Sequence, residues 1–424
     1  MSERPPATAV ASIEPLLTPP QVTLRPPGSK SITNRALLCA ALAEGSSTLR
    51  GALFAQDTAA MIDAIAALGA EVRADEAART VTVLGAGSNR PTQPVRVDAR
   101  QSGTTSRFIL PAAALGTARV VVDGAPQLRA RPFGPLIDAL TQLGVAVEWL
   151  AQPGFLPVAV CGPAAGGKVR LAGHLSSQFL SGLLIAAPLM ARGLRVELTS
   201  PLVSAPYVRM TLAVMSAFGV AGQESEVAPS SYLATDLEIE PDASAAAYFF
   251  AAAAITGGSI TVQGLGAGSI QGDVAFVDIL ERMGARVDRR AEAITVSGTG
   301  TLRGVDVDMA DISDTAQTLA AVAVFADSPT RVRGVGFIRG KETDRIGALV
   351  TELARGGIEV AAGQDGFTVV PGVVAPTRFR TYDDHRMAMS LSLLGLRAPG
   401  IEIEDPACVA KTYPDFFADL ASLR

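Results

Sequence analysis

The stretch Ala67-Leu68-Gly69-Ala70-Glu71-Val72 decides the fold, because the chain repeats its pattern four more times. It returns as Gln142-Leu143-Gly144-Val145-Ala146-Val147, Ala217-Phe218-Gly219-Val220, Arg282-Met283-Gly284-Ala285-Arg286-Val287 and Arg355-Gly356-Gly357-Ile358-Glu359-Val360. Each copy reads as the end of a helix, a glycine able to turn left-handed, and the start of a strand. The glycines are spaced by 75, 75, 65 and 73 residues, which marks internal repetition. A second series interleaves: Gly45, Gly116, Gly193, Gly258, Asp327 and Gly400. Each follows an Ala/Leu-rich run and precedes β-branched residues such as Arg119-Val120-Val121-Val122 or Ser259-Ile260-Thr261-Val262. The repeating unit is therefore strand, helix, strand, helix, strand, strand, with a sixth second helix expected over Phe416 to Leu423.

Six such units predict an α/β protein of two globular halves, three units each. The first helices are almost wholly apolar, as in Ala245 to Ile255, so they belong inside. The second helices carry charges, as in Asp278-Ile279-Leu280-Glu281-Arg282, so one face meets solvent. That layering puts helices inside and sheets outside, with a cleft between the halves as the default ligand site.

Composition narrows the function. The 424 residues allow two or three domains, and 48% hydrophobic against 18% charged residues supplies ample core. A net charge of −5 argues against nucleic acid or a membrane surface as partner, so any anion site is a local concentration of cations. Cys39, Cys161 and Cys408 show neither pairing nor metal spacing, which fits reduced thiols and a cytoplasmic location. With only His174 and His385, a histidine-rich zinc site is excluded; no metal and no cofactor are expected. The N-terminus, with Glu3 and Arg4, lacks the apolar core of a signal peptide. The most apolar stretch, Phe179 to Ala191, is too short to span a bilayer.

Cations cluster where strands meet helices. Pro27-Gly28-Ser29-Lys30-Ser31-Ile32-Thr33-Asn34-Arg35 offers hydroxyls, a lysine and an arginine before a helix running from Arg35 to Ala43. This suits an anion, though a solvated surface turn would read the same. It is not the familiar phosphate loop, whose two glycine places hold Leu24 and Ser29 here. Gln101-Ser102-Gly103-Thr104-Thr105-Ser106-Arg107 and Ser176-Ser177-Gln178 could equally be helix caps. Arg129-Ala130-Arg131-Pro132 and Ser204-Ala205-Pro206-Tyr207 also lead into helices. Lys341-Glu342-Thr343-Asp344-Arg345 is expected to open a helix with Lys341 and Arg345 on one face, or to be a solvated first turn. Asp383-Asp384-His385-Arg386 begins another, where three successive side chains seldom converge on a metal. Asp314 precedes an apolar helix as cap or base, and Lys411 sits in a loop. Each of Lys30, Arg35, Arg107, Arg131, Lys341, Arg345, Arg386 and Lys411 thus lies near a helix start or adjoining loop. Cations there oppose the helix dipole by a few tenths of a kcal/mol each, a conflict that a ligand rich in phosphate or carboxylate would resolve. Asp314 and Glu342 beside them could handle protons.

On GSKSITNRALL, SGTTSR, RARPFGPLIDAL, SSQFLSGLL, SAPYVRMTL, Gly272-Asp273-Val274, RGKETDR, TYDDHRMAMS and KTYPDFF, in that order, the chain resembles the EPSP synthase family from Pro27 to Phe417. The resemblance implies a two-domain inside-out α/β barrel with six βαβαββ repeats in two pseudo-threefold halves. One half would be residues 1–28 with 245–424 and the other 29–244, crossing near Gly28 and Ser244, with the active site in the cleft. It implies transfer of the enolpyruvyl group of phosphoenolpyruvate to the 5-hydroxyl of shikimate 3-phosphate. By that analogy Lys30, Ser31, Arg35, Ser176, Ser177, Gln178, Ser204, Tyr207, Asp314 and Lys341 meet shikimate 3-phosphate. Lys30, Gly103, Arg131, Gln178, Arg345, Arg386 and Lys411 meet phosphoenolpyruvate. Asp314 would accept a proton and Glu342 donate one, with Lys30 also catalytic. Partners would be small anionic substrates, and the protein a monomer. Gln101, Phe108 and Phe337 depart from the common Asn, Pro and Asn, while Gly103 keeps the small residue associated with glyphosate sensitivity. The sister enzyme acting on UDP-N-acetylglucosamine usually lacks this Lys-Ser-x-x-Asn-Arg run. A non-catalytic binding protein would have no need of both Asp314 and Glu342.

Overall fold

The repeated glycine ends its helix as expected: Gly69, Gly144, Gly219, Gly284 and Gly357 all have φ between +80° and +115°, a region a β-carbon disfavours. The computed structural model describes residues 9–87 and 89–424. Its chain divides into two units. A continuous unit holds Pro27–Asp242 with Ile270–Gly272; a split unit holds the segment to Pro26, Ala243–Ser269 and Asp273–Arg424. Ile270–Gly272 joins the continuous unit because Gln271 Nε2 donates to Pro241 O (2.8 Å) and Glu240 Oε2 (2.9 Å).

In the continuous unit the helices are α1 (Lys30–Leu42), α2 (Gln56–Ala67), α3 (Gly103–Ala113), the single turn α4 (Pro126–Arg129), α5 (Gly134–Gln142), α6 (Ser177–Ala186) and α7 (Pro206–Ala217). The first helices α1, α3 and α6 pack on one another. Every residue of α3 is buried, and of α1 only Lys30 and Ser31 are not. Each fully buried Leu, Ile or Phe there contributes about 1.5–3 kcal/mol. α6 approaches α3 so closely at Gly182 that a β-carbon would lie 2.5 Å from Arg107 O; any side chain at that position would push the two helices apart. The second helices α2, α5 and α7 bury one face only.

Three sheets surround this helical centre. The complete repeat is plainest around α3: Val95–Asp98 and Val120–Asp123 run parallel, then Val158–Cys161 and Ala146–Trp149 pair antiparallel. A second sheet joins Gly167–Leu171, Leu194–Leu198 and Glu226–Val227. In the remaining one, Glu44–Arg50 lacks a partner from the residues just before α1. Leu237–Glu238 fills that edge, parallel, with Leu237 opposite Leu49.

The split unit has α8 (Ala243–Thr256), α9 (Phe276–Met283), α10 (Ala316–Ala323), α11 (Arg345–Arg355), α12 (His385–Gly395) and α13 (Phe416–Ala421). Here α8, α10 and α12 form the helical centre. The strand just before α1, Gln21–Leu24, runs parallel to Ser259–Gln263 in this unit. Each unit thus borrows the strand that precedes the other's first helix. The last repeat, expected to run to Leu423, has its helix end at Ala421, and Val10–Ile13 closes its sheet antiparallel to Ile401–Glu404. Among the described residues no helix is long and apolar enough to cross a membrane.

Two helix starts differ from expectation. α1 begins at Lys30 rather than Arg35, because Ser29 caps it, its Oγ accepting from Ile32 N. α11 begins only at Arg345, because Asp344 is its cap, accepting from Gly347 N at 2.9 Å. Lys341 and Glu342 therefore lie in a loop, and Lys341 shares no helical face with Arg345.

Candidate active site

In the continuous unit most of the candidate side chains stand at the N-terminal ends of α1, α3, α6 and α7, where the fold leaves backbone N–H groups unpaired by the helix. Lys30 opens α1, with its ammonium 3.4 Å from the buried Asp57 carboxylate on α2, while its backbone N–H donates to Asp242 Oδ2 at 3.0 Å. Arg35 lies one turn deeper and is 1% exposed. Its Nε donates to Thr211 Oγ1 (2.8 Å), Nη1 to Ser31 O (2.8 Å) and Nη2 to Tyr207 O (3.1 Å). Its guanidinium lies 5.1 Å from the ring centroid of Phe108, the residue standing where a proline is common. Burial pulls the Arg35 pKa down to about 10. Arg35 thus ties Ser31 on α1 to Tyr207 on α7, so the two keep their relative placement.

Gln178, the second residue of α6, is oriented by a neighbour the resemblance did not assign. Arg107 Nη1 donates to Gln178 Oε1 at 2.6 Å, which turns the Gln178 amide N–H toward Thr104 Oγ1 at 3.2 Å. Arg107 itself lies between Phe133 and Phe179, 5.5 and 5.3 Å from their ring centroids. Ser176 caps α6 through Gln178 N, and Ser102 caps α3 through Thr105 N, so the cap reading holds for both. Ser177 and Ser204 are buried, Ser204 with φ +53°, a left-handed turn just before α7. Gly103 is the first residue of α3, and a β-carbon there would come within 2.6 Å of Arg131 Nη1. The absence of a side chain lets the Arg131 guanidinium rest on the start of α3.

In the split unit Asp314, Glu342, Arg345, Asp384, Arg386 and Lys411 form a branched network of ion pairs centred on Arg345. Arg345 Nη1 meets Asp314 Oδ1 at 3.2 Å, and Nη2 meets Glu342 Oε2 at 2.8 Å. Its Nε donates to Asp384 Oδ2 at 2.8 Å and Nη2 to Asp384 Oδ1 at 3.3 Å. Arg386 Nη2 holds the other Asp314 oxygen at 2.7 Å, and Lys411 Nζ the other Glu342 oxygen at 3.0 Å. Burial alone would lower the Arg345 pKa; Asp384, Glu342 and Asp314 outweigh it and leave the guanidinium above its usual value. Three cations meet three carboxylates, so the network is neutral. The dipole conflict of these helix starts is thus answered by protein carboxylates as well as by any ligand. An anion brought to these cations would compete with Asp314 and Glu342 for them. Lys341 stands over Phe337, its Nζ 5.8 Å from the ring centroid, so the aromatic at that departure from the family pattern packs against the lysine.

Sequence reading missed four residues that hold these groups: Asp57, Asp242, Thr211 and Asp384. Only Asp384 had a local signal, two acids before a helix. Asp57 and Asp242 lie 27 and 212 residues from Lys30, and nothing in their local sequence links them to it. Among the described residues no cluster of His, Cys, Asp and Glu could hold a metal ion.

The sequence model of the EPSP synthase (3-phosphoshikimate 1-carboxyvinyltransferase) family matches residues 18–420. A 3-phosphoshikimate 1-carboxyvinyltransferase of Nostoc sp. is 42% identical over 413 residues, covering 96% of this chain and 97% of that protein. The protein of the same name from Serratia proteamaculans is 42% identical over 417 residues, 95% and 96% of the two chains. The solved EPSP synthase of Acinetobacter baumannii superposes with a TM-score of 0.80 at 26% identity, covering 97% of each chain.

Proposed function

The chain belongs to the EPSP synthase family, and on that footing we propose that it transfers the enolpyruvyl group of phosphoenolpyruvate to the 5-hydroxyl of shikimate 3-phosphate, releasing phosphate. The observation that carries the residue roles is the ion-pair network in which Asp314 and Glu342 are each wedged between two cations. Shikimate 3-phosphate is held by Lys30, Ser31, Ser176, Ser177, Gln178, Ser204, Tyr207, Asp314 and Lys341. Arg35, buried against Ser31 and Tyr207, acts on it through them. Phosphoenolpyruvate is held by Lys30, Arg131 over Gly103, Gln178, Arg345, Arg386 and Lys411. Planar guanidinium groups suit its carboxylate and phosphate in bidentate fashion.

The 5-hydroxyl oxygen attacks C2 of the enol, its proton passes to Asp314, and C3 takes a proton from Glu342, giving a tetrahedral adduct. C3 then returns that proton, the bond from C2 to the phosphate oxygen breaks, and the enol ether and phosphate remain. Glu342 held by Lys411 and Arg345 is a carboxylate, so it must gain a proton before it can donate one. Phosphate and carboxylate groups drawing on Lys411 and Arg345 weaken that hold and raise the proton affinity of Glu342. The same competition frees one oxygen of Asp314 from its arginines to act as base. The reading places the enzyme in the cytoplasm as a monomer, which sedimentation and fractionation test. Phosphate release from phosphoenolpyruvate is measured with shikimate 3-phosphate and, separately, with UDP-N-acetylglucosamine. Release with the first alone supports the reading; release with the second alone, or with neither, overturns it.

A further inference from the structure

One buried carboxylate stands apart from this ion-pair network yet reaches the segment that holds it. Glu352, on α11, is 0% exposed. Its Oε2 accepts from Arg380 N (2.9 Å) and Arg355 Nη1 (2.5 Å), and its Oε1 from the Tyr382 hydroxyl (2.7 Å). Arg380 and Tyr382 belong to the turn that leads into α12. Two successive residues there, Tyr382 and Asp383, have φ of +56° and +53°. Neither is glycine, so both conformations are disfavoured and persist only where surrounding contacts hold them. The next residue is Asp384, also 0% exposed, which grips Arg345 and caps α12 through Arg386 N at 2.9 Å. Arg345 and Glu352 lie seven residues apart on α11, close to two full turns, so both face the same way. Helix α11 therefore grasps residues 380–384 at two points. Arg345 binds the end of the turn, and Glu352 binds its start and its left-handed middle.

We propose that Glu352 is a positioning residue for the anion-holding pair Arg345 and Arg386: by pinning the left-handed turn at Tyr382 it sets Asp384, and through Asp384 the orientation of the Arg345 guanidinium and the start of α12 that carries Arg386. The inference rests on the reading above that this pair holds phosphoenolpyruvate. Removing the carboxylate lets the turn relax, and Asp384 moves with it. Glu352 itself touches no residue assigned to shikimate 3-phosphate, and of those residues only Asp314 meets the pair, so the effect falls mainly on phosphoenolpyruvate.

The test is steady-state kinetics of phosphate release with each substrate varied in turn, on wild type, Glu352→Gln and Tyr382→Phe, with thermal melting alongside. Gln keeps the shape but offers one acceptor oxygen to three donors. Misplacing the pair by a fraction of an ångström is expected to raise the KM for phosphoenolpyruvate about tenfold, with the KM for shikimate 3-phosphate within about twofold. Tyr382→Phe removes a single donor at a half-exposed ring, leaves the fold intact, and is expected to shift the same KM about threefold. Wild-type turnover is measured first: its absence sinks the site reading and this inference together. With turnover present, unchanged KM for phosphoenolpyruvate in folded Glu352→Gln, or in Tyr382→Phe if the former does not fold, overturns the inference alone. An equal rise in both KM values overturns it as well, since that marks a general loosening of the protein.

Discussion

Gly103→Ala separates folding from anion binding at a single atom. The added β-carbon would lie 2.6 Å from Arg131 Nη1, 3.1 Å from Cζ and 3.2 Å from Nη2, where ordinary contact begins at 3.4 Å. The guanidinium must therefore retreat by about 0.8 Å. It is the free end of a long side chain, so the retreat costs little in stability. Gly103 is the first residue of α3 and its φ lies outside the left-handed region, so alanine suits the backbone and the helix is expected to be as stable or slightly more so. Function bears the change. A charge-assisted hydrogen bond is worth about 1.5–3 kcal/mol, and one stretched by most of an ångström loses much of it. The expected outcome is a ten- to hundredfold rise, roughly, in KM for phosphoenolpyruvate, with KM for shikimate 3-phosphate nearly unchanged and the melting temperature within about 2 °C of wild type. Phosphate release with both substrates varied, plus calorimetry, reads all three. An unchanged KM for phosphoenolpyruvate in the folded variant would refute the placement of Arg131 over Gly103 as an anion contact.

Three further outcomes are expected. Lys30→Met removes the ammonium beside Asp57 and should lower turnover by roughly ten- to a hundredfold while the protein stays folded; near-normal rates would remove Lys30 from the chemistry. Substrate binding should be accompanied by proton uptake, because an anion that draws Lys411 and Arg345 from Glu342 leaves its carboxylate without the cations that pair with it; titration calorimetry in two buffers of different ionisation enthalpy would contradict this if the heats were equal. Burial pushes the thiols of Cys39 and Cys408 up to about 12, so the folded chain keeps protons that the unfolded chain loses above about pH 9. Stability should therefore fall as pH rises from about 9 toward 12, by about 1.4 kcal/mol per pH unit for each such thiol at most. Alkylation at pH 8 followed by mass spectrometry should leave native Cys39 unlabelled, and rapid labelling would show that its pocket opens.

Periodicity alone carried the reading of the fold a long way. Apolar runs such as Ala245 to Ile255 announced helices buried on every side, and the charged second helices announced one wet face, because a helix displays its environment around its circumference. Exchange of the strands Gln21–Leu24 and Leu237–Glu238 between units was not legible in the periodicity, and only the family resemblance, which put residues 1–28 with 245–424, implied it. A strand's sequence reports that it has neighbours, not which ones, and these partners lie more than 180 residues away. Helix starts were misjudged where a capping side chain overruled the apolar pattern, at Ser29 and at Asp344.

By itself the sequence determined the repeat, the layering, the family and the identities of the cations, since each is written in local spacing or in short motifs. Only tertiary structure decided what those cations touch. Lys30 finds Asp57, Arg345 finds Asp384, and Gly103 makes room for Arg131. Charge interactions act over a few ångströms of space whatever the separation along the chain, so the pairing of ions, and with it the proton affinity of Asp314 and Glu342, comes into being only when the chain has folded.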